Sequence, residues 1–240
     1  LTLGARFNHD HNVVTNYAAA NPLPVRCCEP IPSVATNGAG PQGIVRVATF
    51  TNTAPKASLQ YQWTPDIMTF ISYAEGFDRG GATPTNTVPI VLIPFAPQKL
   101  KDTEIGMRSE FFDHRVRFNI TYFHSNFDQF QVGQDINKIV VTRNAGQALT
   151  KGVEIDGMVA VTDDFHINYT YGYNSAKITS LAPGVTAAIA VGQSLAYAPE
   201  TSYGIGAAYD FHLESGSSVT ARADWGWQSS AYTTNDFTNR

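Results

Sequence analysis

One stretch of this chain alternates between apolar and polar residues over eight positions. Residues 115–122 read RVRFNITY, so Val116, Phe118 and Ile120 share one face of an extended strand, and polar side chains share the other. The same alternation returns along most of the chain, in segments of roughly 8 to 18 residues. Strands in soluble sheets average about 5–6 residues, whereas a tilted strand that crosses a bilayer needs about 9–11. The pattern therefore favours strands that cross a membrane.

The alternation predicts an all-β chain with about nine long strands. Each strand is followed by a segment with turn or loop composition, so we expect an antiparallel up-and-down meander in which sequence neighbours pair. The predicted strands are residues 1–9, 56–63, 67–77, 100–112, 115–130, 145–162, 165–178, 198–211 and 218–232.

The connections between these strands alternate strictly between short and long. Short turns are predicted at residues 64–66, 113–114, 162–164 and 212–217, and longer loops at 10–55, 78–99, 131–144 and 179–197. Membrane barrels have tight turns at one end and long loops at the other, and a soluble sandwich has no reason to separate them. The connections therefore indicate part of a membrane barrel.

Charged residues avoid the apolar positions of most predicted strands. A charge that faces lipid costs roughly 2–4 kcal/mol at the midplane, so this separation is expected of a membrane sheet. Two strands are less clear, because residues 67–77 look apolar on both faces, and only Ile105 and Met107 mark an apolar face in 100–112. The charged residues in the opposite register are Arg6, Glu154, Asp156, Asp210, Arg222 and Asp224.

Composition and motifs argue against several other classes. No stretch approaches the roughly 20 continuous apolar residues of a membrane-spanning helix, and a net charge of −4 gives no basic surface for nucleic acid. Gly204 and Gly206 lie within a predicted strand and open no helix, so they are not a dinucleotide motif. No catalytic Ser/His/Asp arrangement or HExxH motif is present. We therefore predict neither an enzyme nor a bound cofactor.

Several segments, taken in order, resemble the TonB-dependent outer-membrane receptors. Residues 55–63 with 67–81 are similar to that family's barrel segment of a proline-lysine strand, a short turn and an aromatic YASYAEGF strand. Residues 100–123 are similar to its next hairpin, E-x-G-x-[KR]-S-x-F-x-D-x-R. Residues 144–154, NAGQALTKGVE, match its NAG-x-A…G-V-E strand, and residues 198–200 its entry to a later hairpin. The resemblance covers roughly residues 55–232.

The resemblance implies a receptor for active uptake of a ferric siderophore or similar scarce nutrient, in the outer membrane of a Gram-negative bacterium. Its barrel would have about 22 strands and a plugged lumen. The implied partners are outer-membrane lipid, the nutrient ligand and the energy-coupling protein TonB, which acts through an N-terminal plug region. We expect residues 1–240 to be an incomplete arc of that barrel domain, with the plug and the terminal strands outside this sequence.

A few residues are candidates for ligand contact. His9 and His11 share a strand face and could meet a metal or haem, although no third ligand is evident; the alternative is a polar strand end. Arg79, with the aromatic Phe77 nearby, could hold an anionic iron-bearing ligand at the barrel mouth; the alternative is a solvated loop arginine. Haem receptors of this family carry a FRAP signature here, and the sequence FDRG departs from it.

The adjacent residues Cys27 and Cys28 are interpreted as a loop feature rather than as a metal site.

Two other interpretations remain open from the sequence. A passive porin-like barrel without a plug would also lie in the outer membrane, with the 10–55 loop folded inward. A soluble secreted β-sheet binding protein would need a second sheet over the apolar face.

Overall fold

The computed structural model describes residues 1–16, 23–26, 44–84, 92–136, 139–183, 185 and 189–233. These residues contain no helix that is long and apolar enough to cross a membrane. Their strands are β1 Thr2–Asn16, β2 Leu23–Arg26, β3 Ile44–Thr64, β4 Ile67–Asp78, β5 Gly81–Pro84, β6 Leu92–Phe95, β7 Gln98–Phe111, β8 Val116–Ile136, β9 Ile139–Ala160, β10 Phe165–Leu181, β11 Thr201–His212 and β12 Ser218–Gln228.

Nine of these strands form one antiparallel meander. Its order is β1-β3-β4-β7-β8-β9-β10-β11-β12, so each long strand pairs with its neighbours in sequence, and β1 and β12 lie at the two unclosed edges. The predicted all-β arc of nine long strands is thereby confirmed. Two short additions lie in the predicted long loops: β2 pairs in parallel with β3, and β5 pairs with β6 in a separate hairpin.

The strand registers join the predicted apolar positions into one continuous face. Ile71 lies opposite Ile105, Ile105 opposite Tyr122, Tyr122 opposite Val153, and Val153 opposite Tyr173. Residues that are directly opposite in an antiparallel pair project to the same side of the sheet. We call this side the apolar face, and the opposite side the polar face.

Within the described residues, no second layer covers the apolar face. Ile205 is 51% exposed and Trp225 is 57% exposed, although both lie among other apolar side chains. The polar Ser109 on this face is only 2% exposed, and its hydroxyl donates to the Phe118 carbonyl oxygen at 2.5 Å. The sheet satisfies its own polar group on this side, as a surface in contact with hydrocarbon requires. A sandwich core of the kind needed by the soluble alternative is not formed by these residues.

Pairing also decides the orientation of β4, which looked apolar on both sides. Ile71 lies on the apolar face opposite Leu59 and Ile105. Phe70 lies on the polar face, where its ring covers Gly106: a Cβ at that glycine would lie 2.6 Å from the ring. An aromatic ring packed over a cross-strand glycine protects the exposed backbone. Phe70 therefore covers backbone on the polar face of β4 and does not face lipid.

Several strands extend beyond their predicted ends. β3 begins at Ile44, and β8 and β9 continue to Ile136 and Ile139, so most of the predicted 131–144 loop is a paired hairpin. Backbone hydrogen bonds sustain these extensions, and such bonds need no alternation of side chains. The strand extensions therefore lack the alternation of apolar and polar residues by which the other strands were predicted.

A compact hydrophobic cluster lies at the long-loop end of β8–β10. Ala148 and Ile178 are each 1% exposed, and Leu195, from the segment after β10, packs with them. That segment pairs with β10, since Ile178 N–H donates to Gln193 O at 2.9 Å and Leu195 N–H to Ala176 O at 3.0 Å. The residues after β10 thus form a cap over the end of the sheet. The cluster comprises Val132, Ala145, Ala148, Ala176, Ile178, Ile189 and Leu195.

Candidate functional site on the polar face

Charged and hydroxyl side chains gather on the polar face of β4, β7, β8 and β9, which makes this face the candidate functional surface. One row contains Arg108, Asn119 and Asp156, and another brings Ser72 beside Glu104. The alternation that places apolar side chains on one face places these residues on the other. The site is therefore a direct product of the strand pattern.

Arg108 lies at the centre of this surface and is held against the sheet. Its Nη1 donates to Thr121 Oγ1 at 3.0 Å, and its guanidinium carbon lies 5.1 Å from the centroid of the Phe70 ring. This is a cation–π arrangement. Beside it, Ser72 Oγ donates to a Glu104 carboxylate oxygen at 3.4 Å. Arg108 and Glu104 are fixed by separate neutral partners and do not pair with each other.

An open groove of about 290 Å³ lies next to Arg108. Its walls carry both signs of charge and few apolar side chains. Pockets that bind small apolar molecules are lined mostly by hydrophobic side chains. Non-obligate protein–protein interfaces are more polar and contain bridging water molecules. The groove suits a polar protein segment. It is lined by Lys56, Ser58, Gln60, Met68, Phe70, Ser72, Glu104 and Arg108.

Three acidic residues near the middle of this face have neutral partners or none. Asn119 Nδ2 donates to Asp156 Oδ2 at 2.8 Å, and Ser125 Oγ donates to an Asp102 carboxylate oxygen. Glu154 is exposed and makes no hydrogen bond or ion pair with another described residue. These carboxylates keep their negative charge uncompensated within the described sheet, and are available to a cationic partner.

Near the β12 edge, by contrast, two of the predicted inward charges pair with each other. Arg222 Nε and Nη2 donate to the two Asp224 carboxylate oxygens, each at 2.8 Å. Both side chains are more than half exposed, so the pair contributes little to stability.

The structure does not bring the predicted ligand residues together. His9 is exposed on β1 opposite Thr51, in the register of the apolar face, and the side chain of His11 lies outside the described residues. Phe77 lies opposite Lys99, also on the apolar side. Arg79 is exposed just after β4, and its carbonyl oxygen accepts from Gln131 Nε2 at 3.0 Å.

The described residues hold no group of three or more His, Cys, Asp or Glu side chains placed to bind a metal ion. Cys27 and Cys28 lie outside the described residues.

Sequence reasoning missed a polar clamp at the long-loop end. Asn144 Oδ1 accepts from Ala96 N–H at 2.6 Å, and its Nδ2 donates to Ala96 O at 2.9 Å and to Gln129 O at 2.8 Å. Gln129 lies at a bulge in β8 with a φ of 56°, so its carbonyl has no regular ladder partner. Asn144 thus ties the end of the β5–β6 hairpin to the bulge. The NAG motif was the available signal for this clamp.

The glycine of the same motif has a backbone role. Gly146 has a φ of +131°, and a Cβ there would overlap the Ser180 carbonyl oxygen. Only glycine fits such a position without strain. The glycine of this motif therefore allows β9 and β10 to pair closely at this position.

The family model described as TonB dependent receptor-like, beta-barrel, matches residues 1–240, the whole of the chain. The chain belongs to this receptor family. The resemblance found in the sequence is thereby confirmed, and the family is one of receptors rather than enzymes.

Solved barrels of TonB-dependent receptors have the same fold. The ferric yersiniabactin uptake receptor of Yersinia pestis is 16% identical, with a TM-score of 0.67 over 83% of this chain and 29% of its own. The ferric preacinetobactin receptor of Acinetobacter baumannii is 17% identical, with a TM-score of 0.60 over 85% of this chain and 29% of its own. The alcaligin outer-membrane receptor of Bordetella pertussis is 19% identical, with a TM-score of 0.52 over 77% of this chain and 31% of its own.

The chain thus spans less than a third of the length of these receptors. In a TonB-dependent barrel, the polar face of the arc is the one that faces inward.

Proposed function

We propose that this chain is an arc of the barrel of an active-transport receptor, which takes up a ferric siderophore or similar scarce nutrient across the outer membrane of a Gram-negative bacterium. One observation carries the proposal: nine antiparallel strands present a continuous, uncovered apolar face opposite a face of incompletely paired charges. A lipid-facing exterior and a polar interior are what a transmembrane barrel requires. The siderophore named for each of the solved receptors supports the ligand class.

The interior partner that we propose is a plug region N-terminal to this arc in the full-length receptor, which also connects the barrel to TonB. The groove beside Arg108 is open and polar, and Glu104, Asp156 and Glu154 lack cationic partners among the described residues. A polar plug surface with basic residues would compensate these carboxylates. A porin-like barrel without a plug would leave them facing water.

The ligand-contact residues remain a proposal as well. Arg79 is exposed at the loop end of β4 and has a cationic head suited to an anionic ferric complex. His9 and Phe77 lie in the apolar-face register, so they would contact a ligand only at the rim of the barrel. His11 is proposed with His9 from the sequence alone.

Uptake by the full-length receptor tests the proposal. Cells that carry or lack its gene are grown under iron limitation, and accumulation of radiolabelled iron from a panel of siderophores is measured with and without TonB. We expect uptake of at least one complex that needs both the gene and TonB, and a receptor that fractionates with the outer membrane. Uptake that continues without TonB, together with steady conductance in planar bilayers, would favour a passive porin.

A further inference from the structure

Four of the six lysines in the chain lie on the apolar face, at the end of the sheet with the long loops. Lys99 and Lys101 belong to β7, Lys151 to β9 and Lys177 to β10. All four are exposed. We call these four residues the lysine belt.

The belt begins where the rows that consist wholly of apolar side chains end. Tyr122 lies opposite Val153 in the last apolar row of β8 and β9. Two residues further toward the loops, His124 lies opposite Lys151. Strands rise about 3.3–3.4 Å per residue, so successive rows on one face are roughly 7 Å apart. If lipid covers the apolar face, this step places Lys151 at the depth of the headgroups.

The next row adds two more cations to the same patch. Lys101 lies opposite Asn126, Asn126 opposite Leu149, and Leu149 opposite Lys177. Lys177 is therefore a diagonal neighbour of Lys151, at roughly 7–8 Å between their backbones. Across four adjacent strands, the patch is about 14 Å wide. That width matches a headgroup that carries more than one phosphate.

Nearby carboxylates lie opposite two of the four lysines and leave the other two uncompensated. Glu75 faces Lys101 and accepts a hydrogen bond from the Tyr73 hydroxyl at 2.7 Å. Asp128 faces Lys99 and accepts from Gln147 Nε2 at 3.0 Å. None of the four lysines forms an ion pair with another described residue.

Lys151 and Lys177 have no carboxylate opposite them at all. Lys151 lies between His124 and Ser175, and Lys177 lies between Leu149 and Ser194. These two lysines are the strongest anion-binding part of the belt, because no carboxylate lies opposite either of them to compete with an incoming phosphate.

The other end of the apolar face has a different character. Among the described strands, its positions near the short turns are apolar or aromatic, such as Phe165, Tyr209, Phe211 and Val219, and include no lysine or arginine. Positive charge therefore marks only one of the two membrane interfaces. This asymmetry indicates a ligand present in one leaflet only.

We propose that the lysine belt and His124 bind the phosphate groups of a phosphorylated glycolipid in the leaflet on the long-loop side. Lysine is a flexible point charge that reaches phosphate oxygens while its stem stays on apolar surface. The inference rests on the proposed membrane location, since the depth of the belt is defined only if lipid covers the apolar face.

Native mass spectrometry of the purified full-length receptor in detergent tests the proposal. The probes are bisphosphorylated lipid A, lipid A stripped of phosphate, phosphatidylglycerol and inorganic phosphate. We expect bisphosphorylated lipid A to bind in preference to the other three, and more weakly as salt is raised. A lysine near an anionic headgroup contributes about fivefold in affinity, so the double variant K151Q/K177Q should bind roughly 25-fold more weakly.

Two control variants make the result specific. The charge-preserving pair K151R/K177R should bind within about twofold of the wild type, because a guanidinium also binds phosphate. Arg6→Gln removes a cation from the polar face of β1, outside the groove, and should leave lipid binding unchanged. Equal binding of the phosphate-free lipid, or no loss in K151Q/K177Q, would overturn the proposal.

The failure of this inference is distinguishable from failure of the proposed function. A receptor that fractionates with the outer membrane and transports iron, but has no preference for phosphorylated lipid A, would overturn the lipid site alone. A receptor absent from the membrane fraction would overturn both.

Discussion

The ring of Tyr169 on β10 lies across Gly157 on β9. The two residues are cross-strand partners on the apolar face, and the Tyr169 hydroxyl donates to the Arg117 carbonyl oxygen of β8 at 3.1 Å. One side chain thereby joins three strands and satisfies its own hydroxyl on the apolar face. An unpaired hydroxyl in hydrocarbon would be costly.

Gly157→Ala should destabilise the barrel, because a Cβ there would overlap the Tyr169 hydroxyl and the Arg117 carbonyl oxygen. We expect a loss of about 1–3 kcal/mol in the free energy of unfolding. Urea unfolding of the full-length receptor in lipid vesicles measures it. Gly226→Ala is the matched control, since its nearest neighbour would be 3.9 Å away. Equal stability of the two variants would contradict the packing.

Ile205→Arg tests whether lipid covers the apolar face. Ile205 is 51% exposed, so a soluble protein would tolerate the charge, whereas a bilayer should impose a cost of roughly 2–4 kcal/mol. The readout is the folded fraction in vesicles by heat-modifiable electrophoretic mobility. Gln60→Arg places the same charge on the polar face and should fold normally. Normal folding of Ile205→Arg would argue against a lipid-covered face.

Ile178→Ala should loosen the cap formed by the segment after β10. Ile178 is 1% exposed in the hydrophobic cluster, and such a truncation leaves a cavity that costs about 2–5 kcal/mol. We expect faster limited proteolysis within residues 182–200 of the full-length receptor. Val140→Ala, at a residue that is 66% exposed, should leave the cleavage rate unchanged.

Asn144→Leu should release the end of the β5–β6 hairpin. The variant loses both amide donors and the acceptor. The part-buried Ala96 N–H is left unpaired, at a cost of about 1–3 kcal/mol, whereas Ala96 O keeps a hydrogen bond from Gln131 Nε2 at 3.0 Å. Hydrogen exchange at Ala96 and in β6 should rise sharply. Asn144→Asp keeps the acceptor for Ala96 N–H and should give an intermediate rate. Unchanged exchange in both variants would show that the clamp does not hold the hairpin.

The nine-strand meander could be predicted because alternation, strand length and turn spacing all agree along the chain. The alternation alone assigns Val116, Phe118 and Ile120 to one face of their strand. The short connections predict that successive strands pair with each other. The alternation also gave the polar face, including Glu154 and Asp156. The alternation argument failed for β4, because a residue that covers a glycine and a residue that faces lipid are both apolar. Only the strand pairing shows that Phe70 has the first role and Ile71 lies on the apolar face.

The long-loop end was largely beyond prediction. Its strand extensions rely on backbone hydrogen bonds, and its clamp joins Asn144 to Ala96, which are 48 residues apart. Contacts between residues so far apart in the chain produce little pattern in the local sequence from which they could be predicted. His9 and Phe77 were chosen by residue type, and their position in the apolar-face register became known only once β1 and β4 were paired with their neighbours.

The sequence by itself determined that this chain forms long amphipathic strands with one apolar face, because side-chain direction in a strand repeats every two residues. The tertiary structure decided which side chains become neighbours across strands. Register is a property of the paired sheet, and it alone placed Tyr169 over Gly157, left Glu154 without a partner among the described residues, and brought lysines from β7, β9 and β10 into one belt.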